Sequence, residues 1–430
     1  MHKMKKLTLV FLILSSLVIH AQEKKDEPKF GISLSGFVKT DLSYDSRQTV
    51  NIREGHFLLY PDNEKPDLNG KDINAKDQFG ILSIQSRITG KISGPDVLKA
   101  KTSALIEADF FGNENGNFSD VNGLRLRHAY IKLNWETTEL LVGQYWHPMF
   151  IPECFPDVVS FNTGAPFQAF SRNPQIRLTK KVENVKVIVA AASQRDFAST
   201  GPDGVNSKYL RNSVIPDLNL HIQYASSWEN KNEFLIGIGG EFKQLTPRLS
   251  SQVDKNTKDG KDSLYFAGDQ KVNSYALTLY SKLRLKTLTI KGYCVLGNNL
   301  FDQSMLGGYS ISSIADPTQM KYNYSPTKTL SVWAEAATNG KIQAGLFGGF
   351  SKNMGTNDDN IGVYYSRGSN INYVFRISPR VTANFEKLRI SSELEYTAAQ
   401  YGKAAANGLV DTNHTDVANL RLLLAFYYFF

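Results

Sequence analysis

The sequence has 430 residues, 41% of them hydrophobic, 11% aromatic and 21% charged, with a formal net charge of +8 and a mean hydropathy of −0.30. That apolar content can bury a core, which excludes a disordered tail. The single long apolar run, residues 7–19, falls short of the ~18 to 20 residues a spanning helix needs, which excludes a helical membrane protein.

In chain order, Lys3, Lys5 and Lys6 precede the apolar run, and Ile19-His20-Ala21 offers a small-residue cut before Gln22. Residues 1–21 read as a cleavable secretory signal, followed by a polar stub at 22–29 and then by the body of the protein at 30–430. Loss of three lysines lowers the net charge to +5, 46 bases against 41 acids, and shows no basic stripe for nucleic acid. Two cysteines, Cys154 and Cys294, are too few for a disulfide framework and are expected to be free.

From Gly31 onward apolar residues recur at every second position. Such rows cover 82–92, 100–110, 218–224, 234–242, 275–285, 288–296, 330–336, 371–385 and 388–396. The last row is the clearest: Leu420, Leu422, Leu424, Phe426, Tyr428 and Phe430 share one face. Tight connections fall at 94–96, 137–138, 183–184, 229–232, 286–287, 339–340 and 386–387. Longer ones fall near 45–77, 112–121, 147–171, 197–216, 249–271, 298–325, 353–369 and 403–415. Seven short and eight long connections join 16 strands and put both termini on the short-turn side.

This pattern predicts an all-β fold, a 16-stranded antiparallel transmembrane β-barrel with an inward-folded third extracellular loop. In lipid every backbone polar group must be paired; a closed barrel does so while asking only every second side chain to be apolar. A β-sandwich also alternates, but has no reason to keep long and short connections in strict parity or to end in Phe-Tyr-Tyr-Phe-Phe. Tyr44, Phe110, Trp135, Tyr224, Phe385 and Tyr428 would supply the interfacial girdles. Sixteen strands leave an aqueous channel, and the length leaves no room for a plug domain.

By parity the lumen face carries Lys39, Arg87, Lys91, Lys99, Lys101, Arg177, Lys186, Lys282, Arg284, Lys291, Arg376, Arg380, Arg389 and Arg421. Against these stand Asp41, Glu107, Asp109, Glu241, Glu335, Glu393 and Glu395. The excess of bases predicts a preference for anions. Arg125 and Arg127 share parity with Ala129, Ile131, Leu133 and Trp135, so their placement stays open between a position above the lipid, one past a bulge and a subunit contact. The third loop, 147–171, is apolar and proline-rich, and folded inward it would narrow the channel. Its candidate constriction residues are His147, Pro152, Glu153, Phe155, Asp157, Phe161 and Phe167, with Arg172 at the return. Gly237, Gly239 and Gly345 would let such a loop approach the wall.

The run Gly143-Gln144-Tyr145-Trp146, the proline-containing loop and Arg172-x-Pro174-Gln175-Ile176-Arg177-x-Thr179 resemble the DcaP-like trimeric outer-membrane porin family. Arg127-His128-Ala129-Tyr130 is similar to that family's preceding strand. The resemblance implies a homotrimer in outer-membrane lipid, an inward third loop and uptake of small anionic solutes such as dicarboxylates. The terminal aromatics Phe426, Tyr428 and Phe430 resemble the signal by which barrel-assembly machinery recognises its clients.

Enzymatic motifs do not assemble. His56, His128, His147, His221 and His414 show no i, i+4 pairing, no Gly-x-Ser-x-Gly elbow occurs, and Gly237-Ile238-Gly239-Gly240 lies within a strand. No cofactor or metal is expected. The expectation is a passive porin of the bacterial outer membrane; the rivals are a structural or adhesive barrel without transport and, more remotely, an outer-membrane enzyme.

Overall fold

The computed structural model describes residues 30–112, 123–257, 260–411 and 416–430. The expected signal and polar stub, residues 1–29, lie outside the described residues. The wall strands are β1 (Gly31–Asp45), β2 (Gln78–Leu82 and Arg87–Ser93), β3 (Lys101–Asp109) and β4 (Arg125–Asn134). Then come β5 (Thr138–Trp146), β6 (Arg172–Val182), β7 (Val185–Ala192), β8 (Asp217–Trp228), β9 (Asn232–Leu245) and β10 (Val272–Arg284). The remainder are β11 (Leu288–Asn298), β12 (Lys328–Thr338), β13 (Ile342–Asn353), β14 (Ile371–Phe385), β15 (Leu388–Tyr401) and β16 (Asp416–Phe429). Each pairs antiparallel with its sequence neighbours, and β1 pairs with both β16 and β2, so the sheet closes as a 16-stranded barrel.

The alternation has its expected physical meaning. On β8, Leu218, Leu220, Ile222 and Tyr224 are exposed on the outer face, while Asp217, Asn219, His221 and Gln223 are buried inside. A lipid-facing surface that is apolar in this way, with every strand paired on both edges, is the architecture of a bacterial outer-membrane barrel. Turns of two or three residues, such as 183–184 and 386–387, lie at one end together with the connection expected at 94–96, which runs longer, over 94–100, and the eight long connections lie at the other. Among the described residues those long connections carry their own hairpins, Thr49–Ile52 with Phe57–Pro61 in the first and Ser250–Thr257 with Gly260–Ala267 in the fifth.

Two details depart from simple alternation. The row expected over 82–92 is broken at 83–86, where the Lys39 backbone N–H donates to Ser86 Oγ at 3.0 Å and Ile84 turns inward. Lys99, counted as lumenal, sits in the turn before β3 with φ of +61°.

The seam between β1 and β16 runs in register from Phe37 opposite Phe429 to Asp45 opposite Arg421, and Gly36 and Phe430 exchange backbone hydrogen bonds of 3.3 and 3.2 Å. A Cβ on Gly36 would lie 2.1 Å from the Arg87 carbonyl oxygen, whereas one on Gly348 would meet nothing within 4 Å. Gly36→Val is therefore expected to lower the folded fraction severalfold, read as heat-modifiable mobility on gels, while Gly348→Val leaves it unchanged.

Candidate functional site

The third loop starts from a strained strand end. Gly143 in β5 has φ of +132°, and a Cβ there would sit 2.3 Å from the Ala129 carbonyl oxygen, so only glycine keeps the β4–β5 spacing. The His147 N–H bonded to the Ser171 carbonyl at 2.9 Å closes the base of the loop, and the intervening 147–171 lies inside the barrel. Its apolar side chains form a core with the inner wall: Phe150, Phe161, Phe167 and Phe170 are buried together with Tyr280, Tyr293, Trp333 and Phe347. Each such ring contributes about 1.5–3 kcal/mol through removal from water. Phe150 stacks on Trp146 with centroids 3.8 Å apart, and Phe161 lies tilted against Phe111 at 4.4 Å.

A loop buried this way must satisfy its own backbone, and the wall charges do it. Asp157 N–H donates to Glu335 at 2.8 Å, and the Val159 and Ser160 N–H groups donate to Glu393. In the other direction Lys39 donates to the Val159 carbonyl at 3.1 Å, Lys291 to that of Phe155 at 2.9 Å, and Arg376 to that of Ala165 at 2.9 Å. Asn162 reaches Glu395 at 3.0 Å. The first loop folds inward too, which the sequence reading did not foresee. Arg376 bonds the Leu58 and Leu59 carbonyls, Arg421 that of Gly55 at 2.7 Å, and Tyr401 that of Pro61 at 2.7 Å.

The glycines serve differently from expectation. Gly239 makes room for the His221 ring, Gly237 for Tyr280 and Gly345 for the Arg380 guanidinium, all from neighbouring strands. The glycine that admits the loop is Gly349, against the Phe167 ring at 2.5 Å from a Cβ position.

Arg125 and Arg127 point inward. The register slips between Glu107 and Ala108, so Arg127 and His128 are both buried inside while Leu126 faces out. There Arg127 bonds Glu107 at 2.7 Å and Asp109 at 2.9 Å, and Arg125 bonds Asp109 at 2.6 Å. Arg172 pairs with Asp196 of the fourth loop at 2.7 Å, and Arg53 of the first loop reaches the same carboxylate at 3.4 Å. Burial alone would raise the Asp196 carboxyl, but the Arg172, Arg125 and Arg53 guanidinium groups outweigh it and hold the group below its ordinary range.

Other bases counted by parity are also paired: Lys39 with Asp41 at 2.9 Å, Arg421 with Asp45 at 2.7 Å, Arg380 with Glu335 at 2.9 Å and Arg376 with Glu395 at 3.6 Å. Lys291 meets Asp157 at 2.7 Å, Lys186 meets the exposed Glu153 beside half-buried Pro152 at 2.8 Å, and Lys282 meets Glu233 at 2.9 Å. Arg177 donates to Gln175 and to the Trp146 carbonyl. Lys91, Lys101 and Arg284 are exposed near the short-turn end. Lys243, absent from the sequence-based set, is buried inside and bonds Asp302 at 2.5 Å. Phe426, Tyr428 and Phe430 face outward on the closing strand.

Between the loop and the wall lies a cavity of about 510 Å³. Arg87, Arg127, Arg380 and Arg389 line it, with Asp157 as its one lining carboxylate, and Trp146, Phe150, Phe155 and Tyr427 supply aromatic surface. Arg87 is 3.7 Å from Glu107, and Arg389 donates to the neutral Asn384 at 2.7 Å while lying against the Tyr427 and Phe429 rings.

No family profile and no curated relative matches the sequence. Among solved structures the chain matches the outer membrane channel DcaP of Acinetobacter baumannii, with a TM-score of 0.65 at 16% identity over 96% of this chain and 100% of that one. The fold is that of the DcaP channel. The anion-selective porin of Comamonas acidovorans matches with a TM-score of 0.54 at 10% identity, over 94% of this chain and 100% of the porin. The trimer form of OmpT, an outer membrane protein of Vibrio cholerae, matches at 0.53 and 9%, over 93% of this chain and 99% of OmpT. The resemblance read from residues 125–180 thus extends to the whole barrel as a likeness of fold.

Breaking a buried charge network by removing one partner costs about 3–5 kcal/mol, whereas exposed pairs contribute ~0–1 kcal/mol. Asp196→Asn, which removes the carboxylate that buried Arg172 pairs with at 2.7 Å, is expected to fall in the first class. Asp96→Asn, which removes the exposed partner of Lys101, is expected to fall in the second. Thermal unfolding in detergent distinguishes them.

Proposed function

We propose that this chain is an outer-membrane porin, exported behind a cleaved leader, that passes small hydrophilic solutes by diffusion and favours anions, dicarboxylates among them. The observation that carries the reading is the lining of the 510 Å³ cavity, where Arg127 and Arg380 are held by wall carboxylates and Asp157 by Lys291, which leaves Arg389, bonded to the neutral Asn384, and Arg87, 3.7 Å from Glu107, as the surplus positive charge. In a narrow water-filled passage with low-dielectric walls such a surplus concentrates anions and repels cations. Selectivity then comes from pore size and field rather than from a catalytic constellation, and the third and first loops set the size. The fold shared with a DcaP channel and with a porin described as anion-selective supports the same reading. A homotrimer fits the trimer form of OmpT and an apolar cavity of about 530 Å³ among Val142, Ile176, Ala191 and Val214. The outward terminal aromatics fit recognition by barrel-assembly machinery.

In planar bilayers under a potassium chloride gradient, the reversal potential is expected to show anion preference. Arg87→Gln combined with Arg389→Gln is expected to lower the chloride-to-potassium permeability ratio at least twofold. A cation-selective wild type would sink the charge assignment, and absence of any conductance would favour a structural or adhesive barrel. Deletion of 155–161 is expected to raise single-channel conductance; unchanged conductance would mean that the loop does not set the passage.

A further inference from the structure

We propose that His147, Asp217 and Glu241 form a divalent-cation site that ties the root of the third loop to the barrel wall. His147 is the first residue after β5, Asp217 opens β8, and Glu241 lies on β9 opposite Asn219. All three side chains are buried, and their donor atoms lie within 4.8 Å of one another, with His147 Nε2 already 3.1 Å from Asp217 Oδ2. An ion bound at ~2.0–2.2 Å from each would hold its ligands about 3.4 Å apart, so the group needs to close by at most about 1.4 Å at its widest.

Two observations point to a ligand. The first is an orphan: Glu241 is 6% exposed, its Oε1 faces Lys243 at 3.4 Å, and its Oε2 is buried with no N–H or O–H donor toward it, the carboxyl lying instead within reach of the Asp217 carboxyl. Such an atom costs about 1–3 kcal/mol unless something fills the position. The second is charge. Asp217, Glu241 and Asp302 bring three carboxylates to one buried cluster, and among the described residues Lys243 is the lysine or arginine in ion-pair contact with them. Asp302 is saturated by Lys243, Gln194 and Gln303, so the negative excess of the cluster falls on the Asp217–Glu241 side. A divalent cation matches it in both charge and place.

The donor set selects the ion. One imidazole nitrogen with two carboxylates suits Zn²⁺ or Mn²⁺ better than Mg²⁺ or Ca²⁺, which take oxygen alone. Binding through Nε2 puts the ring proton on Nδ1 and gives up the long 3.3 Å bond that Nδ1 now accepts from the Met149 N–H. Asn219 donates to Asp217 Oδ1 at 2.9 Å and fixes that carboxylate with its other oxygen toward His147.

The test uses the full folded chain, stripped with chelator and dialysed against Zn²⁺. One Zn²⁺ per chain is expected, with at least tenfold weaker binding in Glu241→Gln and in His147→Gln at unchanged heat-modifiable mobility. X-ray absorption of the wild-type zinc protein is expected to show a nitrogen and oxygen shell with a single imidazole, which keeps the site testable if a variant fails to fold. No bound Zn²⁺, binding unaffected by both substitutions, or a shell with sulfur or several imidazoles would overturn the site and leave a proton shared between the two carboxylates. None of these outcomes bears on whether the barrel conducts.

Discussion

Lipid offers no hydrogen bonds, and that constraint decides the architecture of this chain. Every peptide group in the wall must be paired to a neighbouring strand, so the last strand has to find the first. The seam from Phe37–Phe429 to Asp45–Arg421 meets this demand, and it needs a residue without a side chain at Gly36, where the Arg87 carbonyl and the Phe430 ring press in. Once the sheet is closed, each strand has one face in lipid and one in the lumen, and the polar side chains have one place to go.

The same accounting applies a second time inside the barrel. The third loop brings some twenty-five peptide groups and a set of aromatic rings into the lumen, away from bulk water. The rings bury themselves against Tyr293, Trp333 and Phe347, and the peptide groups take their partners from Lys39, Lys291, Glu335, Arg376 and Glu393. Wall charges that look like a selectivity lining are in large part the scaffold of the loop. The space that remains lies beside the loop, where Arg389 bonds the neutral Asn384 and Arg87 stands 3.7 Å from Glu107. Charge pairing and channel position thus follow from one event, the folding of the loop against the wall.

Much of this was legible in the sequence because barrel strands have a period of two and need no distant information. The number of strands and the parity of the connections follow from local pattern, whereas an inward third loop is suggested by its apolar, proline-rich composition and by the family resemblance. Arg125 and Arg127 mark the limit. A one-residue slip opposite Glu107 reverses their facing, and parity cannot register a bulge. The inward first loop was hidden for a related reason, since Phe57-Leu58-Leu59-Tyr60 reads as a short apolar run with nothing to say what covers it.

The sequence by itself determined the closed barrel, the side of each regular strand that meets lipid, and the identity of the charges available to the lumen. Only the tertiary structure decided which of those charges meet water. Lys291 is neutralised by Asp157, Arg172 by Asp196, and Arg421 by Asp45, and Lys39 is tied to a loop carbonyl 120 positions away. Alternation is a local rule dictated by the geometry of a strand. Ion pairing inside a barrel is set by loops that arrive from anywhere in the chain, and only their packing brings the partners within reach.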